Sequence, residues 1–141
     1  MGGILLDTNI LLELMRPNPA PRVMNWFHRQ QGSLFFVSSI TRAEIMLSIS
    51  LLPVGRRRNN LVMAVEQMFD EDFDGDSLAF DDNCATEYAL LVAECTRCGV
   101  SISTEDAQIA AIALRHDLPL ATCNGEVFRD IERLIVLNPC E

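Results

Sequence analysis

The chain contains no lysine, because all eleven of its basic residues are arginine. A P-loop nucleotide site, a phosphate-accepting receiver domain and a haloacid-dehalogenase-like phosphatase each need a lysine, so these classes are excluded. Arginine is then the only side chain that can grip a phosphate strongly. The formal net charge of −9 argues against a protein that coats nucleic acid with a basic surface. An acidic protein can still cut nucleic acid where metal ions bridge its carboxylates to phosphates.

Long apolar runs and a secretory leader are also lacking. No apolar stretch approaches the roughly 18 residues of a membrane helix, and no basic segment followed by an apolar stretch opens the chain. We therefore expect a cytoplasmic protein without a membrane partner. The 141 residues, 49% of them hydrophobic, suit a single domain over residues 1–141 with a substantial core.

The five cysteines form an odd, scattered set. In a chain without an export signal this pattern does not predict a disulfide framework, and most of these residues should be small core side chains. Cys95 and Cys98 have C-x-x-C spacing, but there is no second pair and no histidine near them. We interpret them as helix residues rather than as a zinc or redox site.

Short apolar runs alternate with helix-period patterns along the whole chain. This alternation predicts a parallel sheet covered on both faces, that is, a three-layer α/β/α fold with five strands. An acidic loop is expected at residues 70–76, and Asp81 should cap a long helix that Gly99 ends. The five predicted strands are residues 4–6, 34–37, 78–80, 119–122 and 134–137.

Three acids, Asp7, Glu44 and Asp106, follow predicted strands or begin predicted helices. Each has a structural explanation. Asp7 can cap the next helix, Glu44 completes a capping box with Thr41, and Asp106 suits the positive end of a helix. The functional explanation is that the carboxyl ends of parallel strands share one edge, where ligands bind. Residue pattern alone leaves both explanations open.

The functional explanation has a clear electrostatic consequence. Two carboxylates about 5 Å apart repel each other by roughly 3 kcal/mol at an effective dielectric constant near 20. Such a cluster needs a proton or a divalent cation, and oxygen ligands favour Mg²⁺ or Mn²⁺ over zinc. The alternative from another class is a noncatalytic α/β protein-binding module whose acidic residues are only helix caps.

Four segments, at residues 6–9, 41–44, 106–111 and 120–124, occur in a characteristic order along the chain. Together they resemble the signature of the PIN domain, in its VapC/FitB toxin branch. The resemblance implies a metal-dependent endoribonuclease that hydrolyses RNA phosphodiester bonds with a metal-activated water, acting as the toxin of a type II toxin–antitoxin module. It also implies a homodimer and a VapB/FitA-like antitoxin, with DNA reached only through that antitoxin. The segments are Leu6-Asp7-Thr8-Asn9, Thr41-Arg42-Ala43-Glu44, Asp106-Ala107-Gln108-Ile109-Ala110-Ala111 and Leu120-Ala121-Thr122-Cys123-Asn124.

The same resemblance assigns roles to individual residues. Asp7, Glu44 and Asp106 match the family's catalytic and metal-binding acids, which implies Mg²⁺ with Mn²⁺ as a substitute. The matching polar supporting positions are Thr8, Asn9 and Thr122.

The chain departs from the family pattern at the usual fourth acid. Asn124 or Val127 stands at that position, depending on the version of the motif, and Glu126 lies one residue out of register. Asn124 can orient a water molecule but adds no charge, and Glu126 is the nearest acid. Cys123 also replaces an arginine that could contact substrate.

Arg56, Arg57 and Arg58 open a predicted helix. Three cations at a helix start interact unfavourably with the helix dipole unless an anion or an acidic surface neutralises their charge. These arginines therefore belong either to a solvated turn or to a contact with substrate or partner.

Overall fold

A computed structural model describes residues 2–73 and 77–141. Within those ranges four short strands form one parallel sheet in the order β2-β1-β3-β4. The strands are Gly3–Leu6 (β1), Leu34–Val37 (β2), Leu120–Ala121 (β3) and Val136–Leu137 (β4). The α-helices are Thr8–Leu14 (α1), Pro21–Arg29 (α2), Ser39–Ser50 (α3), Arg56–Asp72 (α4), Asp82–Arg97 (α5) and Thr104–Arg115 (α6), and a 3-10 helix spans Gly125–Phe128.

The central strand β1 divides the core into two halves. Leu5 packs with a cluster built largely from α5 and α6, whereas Ile4 and Leu6 pack with residues of α1, α3 and α4. This division follows from the strand period, because successive side chains point to opposite faces of a sheet. The predicted three-layer α/β/α arrangement is confirmed.

The prediction of five strands is wrong for the described residues, because residues 78–80 do not form a strand. Leu78 alone bridges to Ser38; its N–H donates to the Val37 carbonyl at 2.9 Å, and its carbonyl accepts from the Ser39 N–H at 2.8 Å. Two residues later Phe80 packs edge-on against Tyr88 of α5, with ring centroids 5.9 Å apart. The chain therefore turns into α5 before a second residue can pair with β2.

The ends of α5 follow the sequence prediction. Asp81 is its N-cap and accepts a hydrogen bond from the Cys84 N–H at 3.0 Å. Gly99, with φ of 74°, adopts the left-handed conformation that commonly ends a helix. Helix α4 continues to Asp72, so the first part of the predicted acidic loop is helical, and residues 74–76 of that loop lie outside the described residues.

Cys123 and Cys140 form a disulfide, with Cα atoms 5.3 Å apart. The cysteine count did not predict this bond. The pair meets because β3 and β4 lie side by side in parallel, so the residues that follow them emerge together. Cys84 and Cys95 are buried free thiols, as expected of core residues, and Cys98 is exposed.

In the described part of the chain, no helix has both the length and the apolarity needed to cross a membrane.

Candidate active site

A polar residue follows the last residue of each strand at one edge of the sheet. The pairing register aligns Leu6 with both Val37 and Ala121, and Ala121 with Leu137, so all four strands end at the same level. Parallel strands thereby deliver four polar side chains to one crevice, the usual place for a ligand in an open α/β sheet. These residues are Asp7, Ser38, Thr122 and Asn138.

Asp7 lies at the centre of this edge and is only 4% exposed. It is the N-cap of α1: its Oδ1 accepts from the Thr8 N–H at 2.8 Å. Its Oδ2 accepts from the Thr122 hydroxyl, also at 2.8 Å. The capping explanation for Asp7 is therefore correct, but it accounts for only one carboxylate oxygen. The other oxygen is held by a residue from β3's end, which a helix cap does not need.

The pKa of Asp7 is raised above its ordinary value. Burial is the main cause, and the negative charges of Asp106 and Glu44 add to it. The hydrogen bonds from Thr122 and Thr8 act in the opposite direction without cancelling the effect of burial. A cation beside Asp7 would lower the free energy of the ionised form, so the site has an electrostatic demand for positive charge.

Thr122 and Asn9 hold Asp7 in place. The fully buried Thr122 hydroxyl accepts from Asn9 Nδ2 at 3.0 Å and from the Asn124 N–H at 3.1 Å while it donates to Asp7. Asn9 Oδ1 in turn accepts from the Cys123 N–H at 3.2 Å. Asn124 thus contributes through its backbone, and its side chain is exposed. The network ties α1 to the end of β3.

Glu44 lies one turn inside α3, and its Oε1 accepts from the Thr8 hydroxyl at 2.7 Å. The predicted capping box is wrong, because Ser38 is the N-cap and its Oγ accepts from the Thr41 N–H at 3.0 Å. Helix α3 begins directly after β2, three residues earlier than the box requires. The Glu44 carboxylate is therefore directed to Thr8 of α1 rather than to its own helix start.

Asp106 lies in the first turn of α6 and is half-buried. Its structural explanation holds in part: Asp106 lies in the first turn, where the helix dipole favours an acid, but the N-cap is Ser103, which accepts from the Asp106 N–H at 3.1 Å. The charge of Asp106 nevertheless reaches Asp7, whose pKa it raises. The three acids thus come from the start of α1 and from α3 and α6, and the charges of Glu44 and Asp106 both act on Asp7.

Two further sequence-predicted groups are largely exposed. Glu126 is exposed on the 3-10 helix, where it pairs with Arg129 at 3.4 Å. Arg56, Arg57 and Arg58 begin α4, and Arg58 lines a shallow depression beside Ser50 at the end of α3. Because α3 has 12 residues, it is roughly 18 Å long, so these arginines lie at its far end from Ser38.

Sequence reasoning missed two functional candidates, Ser38 and Thr41. Both are completely buried, and the Thr41 hydroxyl lies 2.9 Å from the Thr8 hydroxyl that holds Glu44. The available signal was the S-x-x-T pattern directly after an apolar run. It overlaps the T-x-x-E pattern in the same segment, and Ser38 and Thr41 are both residue types that cap helices.

The chemistry of the donor set fits Mg²⁺ or Mn²⁺, because the edge offers carboxylate oxygens without histidine or cysteine ligands. A buried carboxylate with a raised pKa and two acidic neighbours is consistent with a resident cation. Across residues 2–73 and 77–141, no three His, Cys, Asp or Glu side chains converge closely enough to surround an ion. The acids are therefore gathered at one edge without forming a closed coordination shell.

This fold and this acidic edge define a class. A family model for the PIN domain matches residues 4–134, so the chain belongs to the PIN-domain family. The chain is 38% identical over 138 residues to the plasmid stability protein StbB of Pseudomonas syringae pv. tomato, covering 98% of this chain and 99% of that protein.

Further relatives indicate the branch within the family. Toxin FitB of Neisseria gonorrhoeae is 38% identical over 119 residues, which cover 84% of this chain and 86% of that protein. VapC ribonuclease Y4jK of Sinorhizobium fredii is 32% identical over 138 residues, 98% of both chains. The crystal structure of FitAcB from N. gonorrhoeae superposes with a TM-score of 0.87 and 36% identity, covering 96% of this chain and 97% of that chain. The resemblance to the VapC/FitB branch is confirmed.

Proposed function

We propose that this protein is a Mg²⁺- or Mn²⁺-dependent endoribonuclease that acts as the toxin of a type II toxin–antitoxin module. The observation that carries the proposal is the buried Asp7 carboxylate, held by Thr8 and Thr122 and raised in pKa beside Glu44 and Asp106. The relatives named as a toxin and as a ribonuclease support the same assignment.

Each of the three acids has a distinct support. Thr8 N–H and the Thr122 hydroxyl fix both oxygens of Asp7, so this ligand is oriented before any ion arrives. The Thr8 hydroxyl donates a hydrogen bond to Oε1 of Glu44, and Asp106 lies in the first turn of α6. An ion bound to these acids would lower the pKa of a water molecule and neutralise charge on the scissile phosphate.

Cleavage of RNA by the purified protein tests the proposal, and the chain provides a matched pair of variants. Asp7 and Asp81 are both N-caps whose carboxylates accept a backbone N–H. We expect Asp7→Asn to reduce Mg²⁺- or Mn²⁺-dependent cleavage by at least about a hundredfold, because it removes a charged ligand. Asp81→Asn should cleave RNA at the parental rate.

The same pair discriminates the alternative, a noncatalytic protein-binding module. Its supporting observation is that Asp7, Ser38, Asp81 and Ser103 all cap helices. That alternative requires Asp7→Asn and Asp81→Asn to behave alike, with neither protein showing metal-dependent cleavage. Parental cleavage by Asp7→Asn, or equal loss in both variants, would contradict the proposed nuclease.

An antitoxin of the VapB/FitA kind is the proposed inhibitory partner, and DNA would be reached only through it. A groove of about 680 Å³ between α1, α2 and α4 suits an apolar partner segment. It is lined by apolar side chains that include Leu11, Phe27, Phe35, Leu61 and Met68, with Glu71 and Asp72 also present. Those acids would favour a segment that also carries basic residues. The homodimer stays a prediction. The outer helices are the expected surface for both the dimer and the antitoxin, particularly the hairpin at residues 17–19 and the region from 45 to 69.

A further inference from the structure

Two hydroxyl groups are buried behind the acidic edge without contacting an acid themselves. Ser38 and Thr41 are each 0% exposed. Capping of α3 explains Ser38, whose Oγ accepts from the Thr41 N–H at 3.0 Å. That bond uses only the backbone of Thr41. The Thr41 hydroxyl is therefore not needed for the cap, although it is held at the centre of a short series of contacts.

The series runs from Ser38 to the carboxylate of Glu44. Ser38 Oγ lies 3.3 Å from Thr41 Oγ1, Thr41 Oγ1 lies 2.9 Å from Thr8 Oγ1, and Thr8 Oγ1 lies 2.7 Å from Glu44 Oε1. Each hydroxyl has one hydrogen to donate and can also accept. A carboxylate can only accept, so the position of every hydrogen follows from the acidic end.

The Thr8 hydroxyl donates to Glu44, which uses its only hydrogen. At the next contact Thr41 must then donate to Thr8, and Ser38 must donate to Thr41. The three hydrogens point in one direction, towards the carboxylate. Each bond polarises the next in such a chain, so the hydroxyl nearest Glu44 becomes a better donor.

We infer that Thr41 is a positioning residue for Glu44, acting through the Thr8 hydroxyl. If the Thr8 hydroxyl rotated away from Glu44, its hydrogen would face the hydrogen that Thr41 donates. This series of hydrogen bonds from Ser38 to Glu44, called the relay below, therefore holds Thr8 in its donating orientation. Glu44 Oε1 is thereby fixed, and the second carboxylate oxygen is the one that would bind the ion. The inference rests on the proposed function, because it assigns Glu44 the role of a metal ligand.

Two substitutions at position 41 separate the hydroxyl from the shape of the side chain. Thr41→Val keeps the volume and the backbone N–H that Ser38 caps, but it removes the relay. Thr41→Ser keeps the hydroxyl and serves as the conservative rescue. Ser48→Ala is the matched control on the same helix, because the exposed Ser48 hydroxyl donates to the Glu44 backbone carbonyl at 3.0 Å rather than to its carboxylate.

The first measurement is the affinity of each protein for Mn²⁺ in the absence of RNA, with binding monitored by electron paramagnetic resonance. Loss of a group that orients a metal ligand typically weakens binding by one to two orders of magnitude, so we expect about a tenfold loss in Thr41→Val. Thr41→Ser and Ser48→Ala should bind Mn²⁺ as the parent does. Parental Mn²⁺ affinity in Thr41→Val would overturn the inference while leaving the proposed nuclease intact.

The second measurement needs no metal. In the metal-free parent, NMR should detect slowly exchanging hydroxyl protons of Thr8 and Thr41 with a cross-peak between them, and the Thr8 proton should exchange faster in Thr41→Val. Fast exchange of both protons in the parent would overturn the relay, and this spectrum decides the matter if Thr41→Val does not fold. If the parent neither binds Mn²⁺ nor cleaves RNA, the proposed function fails, and hydroxyl exchange still decides whether Thr41 positions Thr8.

Discussion

At the scale of single residues, Asp7 combines two demands that oppose each other. Its carboxylate caps α1 and accepts from Thr122, yet burial and the neighbouring acids raise its pKa. The folded protein therefore holds a proton on Asp7 more tightly than the unfolded chain does. Without metal, the free energy of unfolding therefore falls as pH rises from 3.8, the ordinary pKa of Asp7, to its raised pKa in the folded protein. Above that raised pKa the loss of stability is complete.

Asp7→Asn should remove that loss. In a metal chelator, we expect the free energy of unfolding of Asp7→Asn, relative to the parent, to increase as pH rises from 4 to 8, measured by urea denaturation. Asp81→Asn should run parallel to the parent over this range, because the Cys84 N–H lowers the pKa of Asp81 and its contribution to stability therefore changes only below its ordinary value of 3.8. An Asp7→Asn curve parallel to the parental curve would contradict the burial of charge at Asp7.

Some site residues were predictable from the sequence for a physical reason, and others were not. Asp7 directly follows an apolar run, so its place at a strand end could be inferred without any tertiary information. Glu44 could be placed on a helix, but its contact with Thr8 spans 36 positions in the chain and leaves no local signal. The buried roles of Ser38 and Thr41 were hidden because both residue types cap helices, so the sequence offered two helix starts three residues apart.

At the scale of secondary-structure elements, the short strands explain both the success and the error of the fold prediction. Apolar runs marked all four strands, but β3 and β4 pair over only two residues each. Residues 78–80 have the same apolar character and still leave the sheet after one bridge, because Asp81 must begin α5. Whether an apolar run pairs as a strand depends on where the next helix begins, and the composition of the run does not indicate that position.

The Cys123–Cys140 disulfide links the segments that follow β3 and β4. The two cysteines are 17 positions apart in sequence, and the loop that they close contains the 3-10 helix. A loop of this size is typically stabilised by about 3 kcal/mol. We expect Cys140→Ser to lower the free energy of unfolding by about that amount in the absence of reductant. The difference from the parent should disappear when reductant is present.

Cys98→Ser is the matched control, because Cys98 is an exposed free thiol, and its stability should equal that of the parent. Thiol titration of the unfolded, unreduced protein should find the three free cysteines Cys84, Cys95 and Cys98. Titration of all five cysteines without reductant would show that the bond does not form.

At the scale of the whole molecule, the partner groove and the acidic edge are adjacent. Leu6 and Leu11 line the groove, while Asp7 between them in sequence faces the acidic edge. A partner segment that contacts Leu6 in the groove would therefore lie near the proposed metal ligands. With a net charge of −9 on the chain, basic residues in that segment would be attracted to this end of the sheet.

This adjacency allows two modes of inhibition with different consequences for metal. In one mode an arginine of the antitoxin forms a bidentate pair with the acidic edge, satisfies its charge and takes ligand oxygens. In the other mode the antitoxin covers the groove by apolar contact alone. We expect the first mode, because Asp7 is a buried carboxylate with a raised pKa that a guanidinium would stabilise.

Titration of Mn²⁺ into the purified toxin with and without its antitoxin distinguishes the two modes. Direct competition predicts an apparent Mn²⁺ affinity at least about tenfold weaker in the complex, and inhibition that weakens as salt rises. Met68→Glu, which places a charge among the apolar side chains of the groove, should weaken antitoxin binding while leaving the Mn²⁺ affinity of the free toxin unchanged. Equal Mn²⁺ affinity in the free toxin and in the complex would show that the antitoxin leaves Asp7, Glu44 and Asp106 available to the ion.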